Sequence, residues 1–329
     1  MTVLVTGAFG NVGRSTLQAL RAEGDRITIL EADTPRNRSL ARELAPDCRV
    51  VFGDVRDPEK AREAMEGVDA VCHLAALIPP AADRAPELTV SINVGGTKNL
   101  IEVAAGQGRK PRFILASSIA AYGDRILSPW IGASDPLVPN DDDIYGKTKV
   151  EAEALLRSSG LPFSVLRLSY IVWRKKLRKD PLMFHMPPAT KIEVCHTEDT
   201  GRAFAAAARV PDALGGTFDI GGGESCRTTF RDYLDRMFGL FGLGSSRFLP
   251  DSAFARSGFH CGWFRDSDDA DRILHFRGKT IEDYYREVGE ETRWLRPLTA
   301  IVAPAVRRSL LAASPFLGTM GRKLQGAGA

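Results

Sequence analysis

The sequence predicts an α/β fold, a doubly wound parallel sheet with helices on both faces. Three observations carry that reading. Short β-branched runs alternate with segments of helical period. Several of the runs are apolar almost throughout, as strands covered on both faces must be. A glycine-rich turn joins the first run to the first helical segment. The chain has 329 residues, 44% apolar and 26% charged, which suits one large domain or two closely joined ones.

The elements follow in order. "TVLVT" (2–6) is the first strand, and 11–24 is a helix with apolar Val12, Leu17 and Leu20 and Gly24 as its stop. Strands are expected at 26–31, 48–54, 68–76, 112–118 and 163–169. Helices are expected at 38–45, 59–67, 88–106 and 143–158. An alanine-rich helix at 196–210 precedes a strand at 216–223 that ends in a glycine turn. No internal repeat or low-complexity linker divides the chain.

Bulk properties exclude some classes. A net charge of +3 gives no support to nucleic acid binding. The five cysteines are scattered and form no C-x-x-C, so a reducing, cytoplasmic setting is expected. Three of them adjoin histidines: Cys72-His73, Cys195-His196 and His260-Cys261. Neighbours on a strand point to opposite faces and cannot chelate one ion, so no metal is expected. No leader pattern opens the chain, and no apolar stretch approaches the ~20 residues that span a bilayer.

"VLVTGAFGNVGRS" places Gly7, Gly10 and Gly13 between strand and helix, with Phe9, Asn11 and Val12 completing the loop. Gly7 allows the tight turn, Gly10 admits a pyrophosphate to the backbone, and Gly13 lets the helix pack on the strand. Free N–H groups at the helix start favour the anionic phosphates. This context predicts a dinucleotide-binding Rossmann unit. Glu31 ends the second strand, where an acid accepts from ribose hydroxyls and repels a 2′-phosphate. NAD is therefore favoured, with NADP as the alternative because Arg36 and Arg38 are close by. Asp33 is a second candidate for the ribose, and Asp54, followed by Val55, a candidate for the adenine edge.

"DIYGKTKVEAE" (143–153) puts Tyr145 and Lys149 four residues apart on an expected helix. They share one face, and an ammonium beside a phenol favours the phenolate. That pairing suits a general acid/base for an alcohol or carbonyl. Taken alone, the motif also reads as a surface tyrosine on a salt-bridged helix.

Together with "GDVRD", "CHLAA", "SINVGGTKNL", "LASSIAAYG", "LRLS", "HTEDTGRA" and "FDIGGGE", these motifs resemble the extended short-chain dehydrogenase/reductase family, of NAD-dependent epimerase/dehydratase type. The resemblance runs from about residue 1 to about residue 290. It implies that Ser118 is the catalytic serine, with Ser117 as the near alternative. Tyr145 becomes the acid/base, and Lys149 lowers its pKa and bonds the nicotinamide ribose. Asn93 is the family's structural asparagine, and Leu74, Ala75 and Ala76 line the dinucleotide path. Tyr122 is a rival tyrosine, but Ile126 stands where a lysine is needed.

The implied organisation is a nucleotide-binding domain at 1–168, completed by 196–222. A smaller substrate-binding region follows at 169–195 and 223–291, with a basic, apolar extension at 292–329. The implied activity is hydride transfer between nicotinamide and a secondary alcohol or ketone. The alternatives are a sugar or nucleotide-sugar epimerase and, from another class, a non-catalytic dinucleotide sensor or scaffold. A homodimer through the helices at 88–106 and 143–158 is expected.

The chain departs from the family in places. Ile119 and Ala120 follow Ser118, where dehydratases carry an Asp-Glu pair. Elimination is therefore not expected. "YIVWRKKLRKD" (170–180) replaces the usual lead into the substrate region. Its Arg174–Lys179 run reads as a grip on an acidic substrate or as a solvated loop. Tyr170 and His185 are substrate candidates, His185 as part of a Met/Phe lid or of core packing. The extension holds six basic residues and no acid, interleaved with apolar ones. It fits contact with an anionic membrane or packing on protein, and its prolines 297, 304 and 315 are expected to break it into short pieces.

Overall fold

The computed structural model describes residues 1–173 and 181–317. The Arg174–Lys179 run and the tail's Arg322 and Lys323 lie outside the described residues. The nucleotide-binding half runs β1 (Thr2–Thr6), α1 (Asn11–Ala22), β2 (Arg26–Glu31), α2 (Pro35–Leu44), β3 (Arg49–Phe52), α3 (Pro58–Met65) and β4 (Ala70–His73). Next come α4 (Ala81–Arg84), α5 (Pro86–Val90), a π-helical turn (Ser91–Gly96), α6 (Thr97–Ala105) and β5 (Arg112–Ser118). Then follow β6 (Trp130–Ile131), α7 (Ile144–Ser158), β7 (Phe163–Leu168), β8 (Tyr170–Val172), β9 (Lys191–His196), α8 (Thr197–Ala207) and β10 (Thr217–Ile220). The remainder is β11 (Arg227–Thr229), α9 (Phe230–Leu240), β12 (Trp263–Phe264), α10 (Ser267–Leu274), α11 (Ile281–Thr292) and α12 (Arg296–Ala313).

Seven strands form one sheet in the order β10-β7-β5-β4-β1-β2-β3, all parallel. The chain winds outward from β1 in one direction and returns from β4 in the other. Ligands of such sheets bind beyond the carboxyl ends, where the winding reverses. One apolar core packs α1 and α8 on one face of the sheet, and another packs α3, α6 and α7 on the other. Caps fix several helix starts: Thr34, Asp57 and Asp143 side chains each accept a backbone N–H of the helix they open. A third core joins β8, β9, α9, α11 and α12 into a smaller region.

Three features differ from the sequence reading. The expected helix at 88–106 is helical throughout but widens into the π turn Ser91–Gly96. Gly96 permits this, since a Cβ there would lie 2.6 Å from the Val55 Cγ2 methyl. Residues Ala270, Leu274 and Phe276, placed by sequence in the substrate region, pack into the core beneath α1 and α8. The prolines do not break α12, which runs unbroken for 18 residues. Pro297 sits in its first turn, where no N–H is needed. Pro304 and Ala300 are exposed, so the carbonyl that Pro304 leaves unbonded can meet water.

Helices α1 and α8 cross in direct backbone contact. A Cβ on Gly201 would come 2.4 Å from the Ser15 carbonyl carbon. Gly201→Ala should therefore force the helices apart and cost about 1–3 kcal/mol of stability. Urea unfolding followed by circular dichroism measures this, and an unchanged midpoint would show that the crossing yields freely.

Candidate active site

The glycine loop is built as a cradle. Gly7 has φ +70°, a left-handed conformation open to glycine, and a Cβ there would lie 2.7 Å from the Ala75 nitrogen. A Cβ on Gly13 would lie 2.1 Å from the Gly7 carbonyl oxygen. Gly10 caps α1 without a side-chain bond, so the helix start offers backbone N–H groups. Phe9 is buried, Asn11 is exposed, and Val12 packs against the core. Leu74, Ala75 and Ala76 follow β4 beside the loop and are partly exposed.

The acids near the loop are already engaged. Glu31 accepts from the Phe9 N–H at 2.9 Å and from Asn37 Nδ2 at 3.3 Å. Burial raises its pKa, against the backbone N–H groups of Phe9 and Ala32. Asp33 holds Arg38 through two bonds of 2.6 and 2.7 Å, and the guanidinium lies over Phe52. Of the two arginines that argued for NADP, Arg38 is thus paired with an acid, while Arg36 is exposed. Asp54 is bound by Arg56 in the same manner, and Val55 is buried against Gly96.

Beyond β5, the carboxyl end of the sheet meets the start of α7. Tyr145 lies in the first turn of α7, partly exposed, with the Ser118 hydroxyl close enough to its phenol to favour the ionised form. Ser118 also accepts the Ala120 N–H at 3.1 Å. Lys149, one turn on, is buried and donates to the Ala116 carbonyl at 2.8 Å. Its ammonium lies 5.6 Å from the centre of the Tyr145 ring. The expected lowering of the phenol does not hold among these groups. Burial dominates and pushes Tyr145 up to about 12, against the effect of the nearby Ser118 hydroxyl and with that of the Asp143 charge. The same burial pushes Lys149 down to about 8, opposed by Glu153.

Ser117 takes no part in this cluster. Its hydroxyl donates to Glu153 at 2.5 Å, inside a buried network. Glu153 receives Arg167 through bonds of 2.9 and 2.7 Å, and Arg167 also donates to the Tyr122 hydroxyl at 2.6 Å. Tyr122 in turn donates to Asp219 at 2.8 Å. The rival tyrosine is therefore a core group, with burial as the largest cause of its raised pKa. Tyr170 packs edge-on against Tyr233 in the smaller region's core. His185 is exposed and meets the Phe316 ring at 5.5 Å. Neither residue is placed beside the Tyr145 hydroxyl by any contact described.

Asn93, expected as the family's structural asparagine, finds partners that the sequence did not reveal, and His73 and Asp143 take places that it did not assign. Asn93 holds the Leu77 backbone through bonds of 2.7 and 3.0 Å and reaches Thr148 at 3.1 Å. It thus ties the loop after β4 to the helix of Tyr145. His73 bridges Thr6 at 2.7 Å and Thr97 at 2.8 Å, and burial pushes its pKa down to about 3. Thr97 donates to the Asn93 carbonyl, so His73 carries its proton on Nε2 and accepts from Thr6 on Nδ1. Thr6 then accepts from the Ala75 N–H at 3.1 Å. His260 Nδ1 lies 3.1 Å from Asp143, the residue that caps α7. Asp143 was legible as a cap-type residue, but its partner lies 117 positions away. Among the described residues, no group of three or more His, Cys, Asp or Glu is arranged to hold a metal.

A parallel sheet wound both ways, a glycine cradle and a Ser-Tyr-Lys cluster at its carboxyl end define a Rossmann-type α/β protein of the short-chain dehydrogenase kind. Residues 3–186 match the NAD dependent epimerase/dehydratase family, and the chain belongs to it. D-erythronate dehydrogenase of Cupriavidus necator is 32% identical over 168 residues, 47% of this chain and 49% of that protein. UDP-glucose 4-epimerase of Lacticaseibacillus casei is 30% identical over 174 residues, 51% of this chain and 50% of that one. This chain thus spans about half the length of these relatives. A short-chain dehydrogenase/reductase superfamily protein from Agrobacterium tumefaciens, solved with NAD, shares the fold. Its TM-score is 0.71 at 22% identity, covering 91% of this chain and 98% of that one.

The ion pair between Glu153 and Arg167 is buried on both sides. Glu153→Leu leaves the guanidinium uncompensated and should cost about 3–5 kcal/mol. Adding Arg167→Leu should recover part of that loss in guanidinium unfolding. If the double variant is less stable than the single, the pair is not the source of the penalty.

Proposed function

We propose that this chain is an NAD-dependent oxidoreductase acting on a secondary alcohol or its ketone, with Tyr145 as acid/base. The observation that carries the reading is the grouping of Tyr145 at the start of α7, Lys149 one turn on with its ammonium 5.6 Å from the Tyr145 ring centre, and Ser118 at the end of β5. The residues present fit the dinucleotide. The Gly7–Gly13 loop and the start of α1 suit its phosphates, Glu31 its adenosine ribose and Lys149 its nicotinamide ribose. When bound, NAD supplies the hydride acceptor or donor and, oxidised, a positive ring.

The chain's own groups divide the proton work. Ser118 holds the substrate oxygen beside Tyr145. With its pKa pushed up to about 12, the phenol is protonated at neutral pH and so carries the proton that a ketone oxygen would receive, and a positive nicotinamide ring nearby would bring that pKa closer to the working pH. In the other direction Tyr145 must shed that proton, so oxidation gains as pH rises and reduction as pH falls. Ile119 and Ala120 are buried and apolar, which gives no acid to expel a hydroxyl. That supports a dehydrogenase over a dehydratase. The epimerase relative keeps epimerisation as a second reading, marked by NAD retained through purification. A mere sensor needs no Ser118-Tyr145-Lys149 set.

A screen of polyols, sugar nucleotides and acyl alcohols by NADH absorbance finds the substrate. Tyr145→Phe should then lower kcat by about 10²–10⁴-fold with NAD affinity nearly unchanged. A fully active Tyr145→Phe protein would overturn the mechanism. Glu31→Ser should narrow the preference for NAD over NADP, read as the ratio of the two kcat/KM values. An unchanged ratio would remove Glu31 from ribose recognition.

A further inference from the structure

Helix α12 shows two apolar faces. Its inner face buries Ala303 and Leu310 in the smaller region's core, and Arg307 there donates to the Leu243 carbonyl at 2.8 Å. Its outer face and the turn before it expose Trp294 (76%), Leu295 (56%), Leu298 (65%), Ile301 (77%) and Val302 (51%). Positions 294, 295, 298, 301 and 302 recur at helical spacing, so they form one contiguous stripe. Isolated exposed leucines are ordinary, but a contiguous patch marks a contact surface.

Charge selects the partner. Arg293, Arg296 and Arg308 flank the stripe and are exposed. No acidic residue occurs from 292 to 317; the nearest in sequence, Glu290 and Glu291, belong to α11. The Arg293 guanidinium lies over the Trp294 ring at 4.9 Å. A second copy docked on this face about a two-fold axis would bring like-charged arginines together. Anionic headgroups would neutralise them, while the stripe enters the acyl boundary and Trp294 sits at the interface. No described helix is long and apolar enough to cross a bilayer, so the helix would lie on the surface. We propose that the outer face of α12 docks this protein on an anionic lipid membrane.

The test is co-sedimentation of the full chain with sucrose-loaded vesicles. One set is phosphatidylglycerol in phosphatidylcholine, and the other is phosphatidylcholine alone. The protein should pellet with the first set, less so as salt rises, and weakly with the second. Leu298→Glu with Ile301→Glu should abolish pelleting while thermal unfolding stays close to that of the parent, because both side chains face outward. Arg293→Gln with Arg296→Gln should weaken it by about fivefold per arginine. Equal pelleting of parent and Leu298→Glu/Ile301→Glu would overturn the proposal. So would failure to bind either vesicle. A dimer in light scattering that Leu298→Glu/Ile301→Glu dissociates, with no lipid binding, would assign the face to a second copy instead.

Discussion

The bidentate pairing of Glu153 with Arg167 is the constraint on which the site rests. Glu153 stands on α7 and Arg167 on β7, so the bond fixes helix against sheet. Burying two charges is costly unless every polar atom finds a partner. Here Ser117 and Arg157 add bonds to the carboxylate, and Tyr122 and the Ala133 carbonyl add bonds to the guanidinium. Tyr145, Lys149 and Glu153 are spaced four apart, one stripe along α7. Locking Glu153 therefore locks the azimuth of Tyr145 and Lys149 above it. The carboxylate also acts at a distance, opposing the loss of the Lys149 charge.

Local spacing made part of this legible in the sequence. The strand–glycine–helix pattern and the Tyr145–Lys149 interval are short-range signals, and the elements they imply lie within a few residues of those observed. The choice between Ser117 and Ser118 needed the third dimension. Neighbours at the end of a strand diverge, and one serine meets Glu153 while the other meets Tyr145. Partners far apart in sequence stayed invisible: Arg167 for Glu153, Thr97 for His73, His260 for Asp143. Arg38 misled because its nearness to the ribose end of β2 was legible, while its pairing with Asp33 was not. The prolines of α12 misled because their effect depends on which carbonyls reach water.

Electrostatics within the cluster reverses a simple expectation. An ammonium near a phenol favours ionisation, yet Tyr145 is raised and Lys149 lowered. One cause serves both, since enclosure disfavours charge on either group. The ammonium gives one of its three donors to the Ala116 carbonyl, which leaves two for a ligand. The low polarity that suppresses ionisation also strengthens each remaining Coulomb interaction. A positive charge arriving beside the phenol would therefore shift its proton more here than it would in water. Burial thus disfavours the phenolate of Tyr145 and strengthens the effect of any charge beside it.

Asp143 shows how a structural need and a chemical one compete at a single residue. Its carboxylate caps α7 by accepting the Gly146 N–H at 2.8 Å, which stabilises the helix that carries Tyr145. The same negative charge, two residues from the phenol, raises the Tyr145 pKa. A serine or threonine would cap as well without that charge. The acid is better tolerated because His260 approaches its second oxygen at 3.1 Å. His260 belongs to the segment between α9 and β12, on the smaller region's side of the site. The acidity of the Tyr145 phenol is therefore tied to how that segment sits against the start of α7, and the two halves of the molecule share one electrostatic problem.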